Sequence, residues 1–221
     1  GTDPEGQEIL GFFEKRGIQS GSIERWPPWV TPTKTRVLAG TFHGPKQQMV
    51  RVDSGEENLF DENVIGRMKG HLASALEGSD ALIVSDYGYG LAQAIRAQDF
   101  LTVARLSAID SRFDLESFAG VTTATPNEGE FERAIGKTVE DDGYLLESEG
   151  QALRARLGMK ALLVTRGGKG MSLFEQGRPP LHLPVVGSSN SVMKSAQARD
   201  AMISASSPSG WRGRPSPFSP R

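Results

Sequence analysis

Short runs of β-branched and aliphatic residues alternate along this chain with longer stretches in which apolar positions recur every three to four residues. The runs predict strands at Arg36–Ala39, Met49–Val52, Ala81–Ser85, Leu106–Ile109, Val121–Ala124, Ala161–Thr165, Gly170–Phe174 and Leu181–Val185. The longer stretches predict helices at Glu5–Arg16, Glu62–Leu76, Leu91–Ala104, Glu128–Ile135 and Gly143–Leu157. Alternation of this kind points to an α/β domain. Ala81–Val84 and Ala161–Val164 are apolar at every position, which suits central parallel strands covered on both faces.

A doubly wound sheet holds its ligand beyond the carboxyl ends of its strands, so the residues just after each strand matter most. Ser85-Asp86-Tyr87-Gly88-Tyr89-Gly90 follows one strand and Asp110-Ser111-Arg112 the next. Then come Thr125-Pro126-Asn127-Glu128-Gly129-Glu130 and Thr165-Arg166-Gly167-Gly168-Lys169-Gly170. Four successive polar or glycine-rich ends exceed what surface connections require. They point to a nucleotide or phosphate-ester site.

Each segment also has a plain structural reading. Asn127 is a good N-cap, and Glu128 and Glu130 favour the positive end of a helix dipole. The functional alternative has Asn127 and Glu130, on one face of the first turn, holding a magnesium–water cluster near a phosphate. The glycine-rich 165–170 segment can be a hairpin turn, a nucleotide-facing loop or both, because glycine lets a backbone approach a ligand and frees amides for phosphate oxygens. Asp86 can cap the following helix, and Asp110 with Arg112 can be an ion pair. His43, His71 and His182 share no metal-ligand spacing and receive no catalytic role.

Composition narrows the class. At 221 residues the chain has room for one sizeable core. A net charge of -2 with interspersed signs argues against a nucleic-acid partner. The absence of cysteine excludes disulfides, thiol nucleophiles and cysteine-ligated zinc, and suits a reducing compartment. No apolar run approaches the ~20 residues of a membrane span, and the opening residues lack a secretory pattern, so a cytoplasmic location without membrane partners is expected. The start at Gly1, leading directly into a helix, suggests a chain that begins within something larger.

Taken in order, Thr33–Ala39, Gln47–Asp53, Ser85-Asp86-Tyr87, Asp110-Ser111-Arg112, Thr125–Glu132 and Leu163–Leu173 resemble the kinase domain of the bacterial heptose-7-phosphate kinase / ADP-heptose synthase family, a branch of the PfkB (ribokinase-like) sugar kinases. The likeness spans roughly residues 1–186. It implies a three-layer α/β/α fold with a mostly parallel sheet and a small β lid, truncated here. It also implies ATP as donor, magnesium, and a phosphorylated sugar, heptose 7-phosphate, as acceptor. Carried over residue by residue, Asn127 and Glu130 become the metal pair, and Thr165, Gly167, Lys169 and Gly170 the ATP-facing segment. Lys34, Arg36, Gln47 and Arg51 fall in the sugar-side lid (about 33–53), while Asp86 and Asp110 line the cleft floor. Family membership further suggests a homodimer through the lid strands.

Two departures follow from the same resemblance. The family's amino-terminal sugar-binding part has no counterpart before Gly1. The family's Gly-Ala-Gly-Asp helix start, an anion hole with the catalytic base, is replaced by Ala196-Gln197-Ala198-Arg199-Asp200. Asp200 stands where the base belongs, but Gln197 and Arg199 replace both glycines and would crowd a phosphate. The expected organisation is therefore a partial kinase domain over 1–205 and a tail, 206–221, whose prolines forbid a long helix. That tail is either disordered or the product of a one-base frameshift. A catalytically inactive nucleotide-binding remnant of the same fold is the alternative function. A dinucleotide-dependent oxidoreductase is disfavoured, since no Gly-x-Gly-x-x-Gly follows an early strand.

Overall fold

The computed structural model describes residues 1–40, 46–55, 60–101, 104–112 and 114–185. Asp200, the 196–205 stretch, the tail and His43 lie outside the described residues. Helix α1 (Pro4–Glu14) precedes a two-stranded ribbon of β1 (Thr33–Ala39) and β2 (Gln47–Ser54). Helix α2 (Glu62–Leu76) leads into β3 (Leu82–Asp86), the short α3 (Leu91–Ala94), β4 (Ser107–Ser111) and β5 (Thr123–Ala124). Helices α4 (Glu128–Ile135) and α5 (Gly143–Arg156) precede β6 (Ala161–Thr165), β7 (Met171–Glu175) and β8 (Leu181–Leu183).

The main sheet runs β3-β4-β5-β6-β7-β8. Its first four strands are parallel and its last two antiparallel, so the carboxyl ends of β3, β4, β5 and β6 share one edge. The core has Phe100, Phe118, Phe131 and Phe174 at 2% exposure or less, with Ile109, Leu146, Leu153 and Leu162 packed among them. Each such side chain contributes about 1.5–3 kcal/mol by leaving water. Gly150 is required in mid-helix because a Cβ there would stand 2.5 Å from the Phe174 ring.

Helix boundaries follow their caps. Asp3, Asp61, Asn127 and Asp142 each accept a bond from the backbone amide three residues on, and Gly136 ends α4 with φ of 68°. The expected helix over Leu91–Ala104 is instead broken after Ala94. Ile95 turns extended, and the Asp99 carboxylate captures the Arg96 amide at 2.8 Å, starting a separate 3₁₀ turn. Strand β3 also departs from expectation: Ile83 and Ser85 are exposed, Ile83 at 67%, because β3 is the sheet's outer strand and one of its faces is open. Strand β6 is covered on both faces, as its apolar run implied.

Asp3 ties α1 to the segment entering the ribbon, accepting from the Thr31 amide and hydroxyl, both at 2.6 Å. Those bonds hold its carboxyl down at about 2, from 3.8. The folded form gains from this contact in full above about pH 4 and loses the gain as pH falls toward about 2. Urea midpoints followed from about pH 5 to pH 2 should therefore fall less steeply in Asp3→Asn than in the parent chain. Equal slopes would show that the Asp3–Thr31 contact does not contribute to acid sensitivity.

Candidate functional site

Two of the four polar strand ends, those of β5 and β6, bring their candidate residues into direct contact at the shared sheet edge. Beyond β5 and β6 the chains stay paired: Thr165 N donates to Pro126 O at 2.9 Å, and Asn127 and Thr165 form an isolated parallel bridge. The Asn127 helix start and the 165–170 turn are thus direct neighbours. Within α4, Asn127 Oδ1 accepts from Glu130 N at 2.9 Å and Glu130 Oε2 from Asn127 N at 2.8 Å, a reciprocal capping box. The plain structural reading of this motif therefore holds. It leaves one polar atom on each side chain, Asn127 Nδ2 and Glu130 Oε1, outside the cap.

The 165–170 turn is also the hairpin between β6 and β7, with a 3₁₀ turn over Gly167–Lys169. Its glycines differ in kind. Gly167, at φ of 53°, is exposed with nothing within 4 Å of an added Cβ. Gly170, at φ of 89°, is buried, and a Cβ there would stand 2.0 Å from Leu183 O. Gly170 is therefore needed by the fold, whereas Gly167 leaves open space for a ligand. Lys169 does not point free charge into that space: its Nζ meets Glu140 O at 2.8 Å, Asp141 at 2.9 Å and Glu128 at 3.5 Å. The Asp141 bond raises the Lys169 pKa and lowers that of Asp141.

At the β3 and β4 ends, Asp86 is buried and accepts from Ser111 Oγ and Gly88 N, both at 2.8 Å. Asp110 is exposed and level with Ser85, one register position from the Asp86–Ser111 pair, so the two aspartates lie on opposite sheet faces and do not share one floor. Asp110 and Arg112 do not pair either. The Arg112 guanidinium lies 5.2 Å from the Tyr87 ring centroid, and Lys34 Nζ of the ribbon lies 5.4 Å from the same centroid. Neither cation has a carboxylate within 4.0 Å among the described residues. A polar hollow of about 300 Å³ runs from Arg112 past Asp114 and Arg133 to Glu130.

On the ribbon, register puts Lys34, Arg36, Arg51 and Asp53 on one face, with Arg36 opposite Arg51 and Arg51 paired to Asp53 at 2.9 Å. Gln47 pairs with Ala39 at the far end, away from Lys34. The other face carries Val37, Val50 and Val52, each at least 50% exposed.

Among 172 curated proteins that match, the bifunctional protein HldE of Methylococcus capsulatus is 34% identical over 222 residues, covering 97% of this chain and 44% of that protein. HldE of Pelobacter propionicus is 32% identical over 191 residues, 84% of this chain and 38% of that protein. This chain is a homologue of the HldE proteins over most of its length. It spans less than half the length of the HldE relatives named here. No protein-family model matches the sequence. Phosphofructokinase-2 from Escherichia coli, solved with substrates and products, superposes with a TM-score of 0.63 at 15% identity, covering 92% of this chain and 65% of that one. Ribokinase from Giardia lamblia gives 0.55 at 15%, covering 85% and 58%. The fold is ribokinase-like, as the six segments of this HldE homologue imply.

Some neighbours at this edge carry no local sequence signal. Tyr87 and Arg112 meet across 25 positions, and Arg166 reaches Glu128 across 38. A cation beside an aromatic or a carboxylate is visible in sequence only when the two are close in the chain. His182 also draws on distant segments: Nδ1 meets Ser172 Oγ at 2.9 Å and Nε2 meets Glu147 at 3.0 Å, a serine–histidine–glutamate line. Ser172 is 1% exposed in mid-strand, so no substrate can reach it, and the line pins the short edge strand β8 to β7 and α5.

Proposed function

We propose that this HldE homologue belongs to a cytoplasmic enzyme that transfers the terminal phosphoryl group of ATP to a hydroxyl of a sugar phosphate, heptose 7-phosphate. One observation carries the reading: the Asn127–Glu130 helix start and the Thr165–Gly170 turn meet at the carboxyl edge of a parallel sheet. The open backbone at Gly167 suits the nucleotide, while the free atoms of Asn127 and Glu130 suit magnesium. One carboxylate and one amide cannot chelate the ion alone, and no cluster of three ligating side chains occurs among the described residues. The pair fits magnesium held through its water shell. When bound, the ion neutralises phosphate charge; the protein's part is to position the reactants.

The acceptor's phosphate is assigned to Lys34 and Arg112. A cation–π contact is worth about 0.5–1 kcal/mol at an exposed site. A hydrogen bond to a charged group contributes about 1.5–3 kcal/mol, so a phosphate outcompetes Tyr87 for both cations. Arg36 and Arg51 extend the same cationic face. Lys34→Met and Arg112→Met should each raise KM for the phosphorylated acceptor roughly 10-fold or more and leave KM for ATP within about twofold. Equal change in both constants would move these cations away from the acceptor. Asp200 is the proposed base toward the acceptor hydroxyl.

The valine face supports pairing of two copies through the ribbon, since two strands alone are marginal in water. Val50→Lys should shift sedimentation toward the monomer; an unchanged profile removes the ribbon from the interface. The activity itself is tested by coupled ADP release with heptose 7-phosphate, ribose, fructose 6-phosphate and adenosine. Turnover selective for heptose 7-phosphate supports the proposal. Nucleotide binding without turnover on any of the four would instead make the chain a non-catalytic remnant, the reading favoured by Gln197 and Arg199.

A further inference from the structure

We infer that Arg166 is a positioning residue that sets the distance between the two halves of the nucleotide site by clamping Glu128, the residue next to Asn127. The inference rests on the proposed function for its ligand, but its geometry is independent of it. Arg166 directs Nε and Nη2 onto one Glu128 oxygen, at 3.0 and 2.9 Å, and Nη2 also onto Glu140 O at 3.0 Å. Its side chain is 13% exposed and that of Glu128 23%, so this pair is shielded in a way that the other ion pairs of the surface are not. An exposed pair contributes almost nothing, whereas loss of one member of a shielded pair leaves the other uncompensated.

The clamp acts at a chosen place. Residue 126 is bound through its carbonyl to Thr165 N, and residue 128 through its carboxylate to Arg166. Asn127 is therefore tethered on both sides to consecutive residues of the opposite strand end. Arg166 N in turn accepts its place in the turn by donating to Gly170 O at 2.8 Å, so the guanidinium is anchored at the base of the glycine turn. A third segment is drawn in at Glu140, which adopts φ of 41°, a left-handed conformation uncommon for glutamate, with its carbonyl accepting from both Arg166 and Lys169. A guanidinium presents several donors in a fixed plane and can hold Glu128 and Glu140 at once. Lysine, a single point charge, cannot reproduce that geometry.

The test compares the whole chain with Arg166→Met, Arg166→Lys, Glu128→Gln and the Arg166→Met/Glu128→Gln double variant. Arg178→Met, which breaks the exposed Arg178–Glu175 pair at the other end of β7, is the control. Two readouts are used: affinity for ADP with magnesium by calorimetry, and amide hydrogen exchange without nucleotide. Arg166→Met and Glu128→Gln should each weaken ADP binding about tenfold, and the double variant no more than either alone, since both remove one contact. Arg166→Lys should recover only part of the loss, and Arg178→Met should bind like the parent. Exchange at Lys169 and Gly170, whose amides close the turn, should quicken about tenfold in both single variants, with Leu163 unchanged. Additive losses, or parent-like affinity in Arg166→Met, would overturn the clamp. If the parent chain binds no ADP, the proposed function fails, and unchanged exchange at Lys169 and Gly170 would then overturn the clamp separately.

Discussion

Gly170→Ala is expected to lower the unfolding free energy by roughly 3–5 kcal/mol, while Gly167→Ala costs roughly 1 kcal/mol and instead weakens nucleotide binding. The two substitutions are chemically identical, and the two sites lie three positions apart in one turn. At Gly170 a methyl group meets the Leu183 carbonyl at 2.0 Å, and neither backbone can withdraw without parting β7 from β8. Positive φ adds its own strain for a residue with a Cβ. At Gly167 only the strain applies, because the space is open. Urea unfolding at neutral pH measures the first effect, and ADP titration with magnesium the second. Equal stabilities, or full ADP affinity in Gly167→Ala, would show that the roles of the two glycines have been misread.

Glu130→Gln is the second substitution with a large expected effect. Glutamine is accepted at the third position of a capping box, so the bond to Asn127 N survives and stability should fall by less than about 1 kcal/mol. What is lost is the charge beside the phosphate. In the parent chain magnesium should tighten ADP binding about tenfold or more, and in Glu130→Gln by less than about twofold; in an active chain turnover should drop about 100-fold or more. The two readouts separate cap from site. A large loss of stability with the magnesium effect intact would leave Glu130 with the cap alone.

Much of this arrangement is legible in the amino-acid sequence. Glu62–Leu76 and Glu128–Ile135 match their helices because Asp61, Asn127 and Gly136 write the ends into the chain. The shared sheet edge is legible too, since four polar strand ends in a row require parallel strands to bring them together. Where local reading stops, the reason is physical. Asp99 breaks the 91–104 helix through a side-chain bond that no periodicity registers. Ile83 belongs to an all-apolar run, yet it is exposed, because burial depends on where a strand falls in the sheet order and not on its composition. Asp86 and Asp110 share a position after successive strands, but a single step of register puts them on opposite faces.

The charged residues show the same division. Lys169 looks like a free cation in a glycine turn, and it is instead held by Glu140 O and Asp141. Arg112 looks like a partner for Asp110, and it is instead spread over Tyr87 beside Lys34. In both cases the residue type was informative about chemistry, whereas the partner was set by contacts between distant segments. The acceptor side of the proposed site therefore rests on Lys34 and Arg112 about Tyr87, with Gln47 at the other end of the ribbon.

The proposed nucleotide lies at the Asn127 helix start and the Thr165–Gly170 turn. Amide chemical-shift mapping during titration with ADP and magnesium locates it residue by residue. The largest shifts should fall at Glu128–Glu130 and Gly167–Lys169, with smaller ones at Arg112. Shifts confined to the apolar groove of about 520 Å³ between Trp26, Trp29, Phe60 and Ile83, or no shifts at saturating ADP, would contradict it.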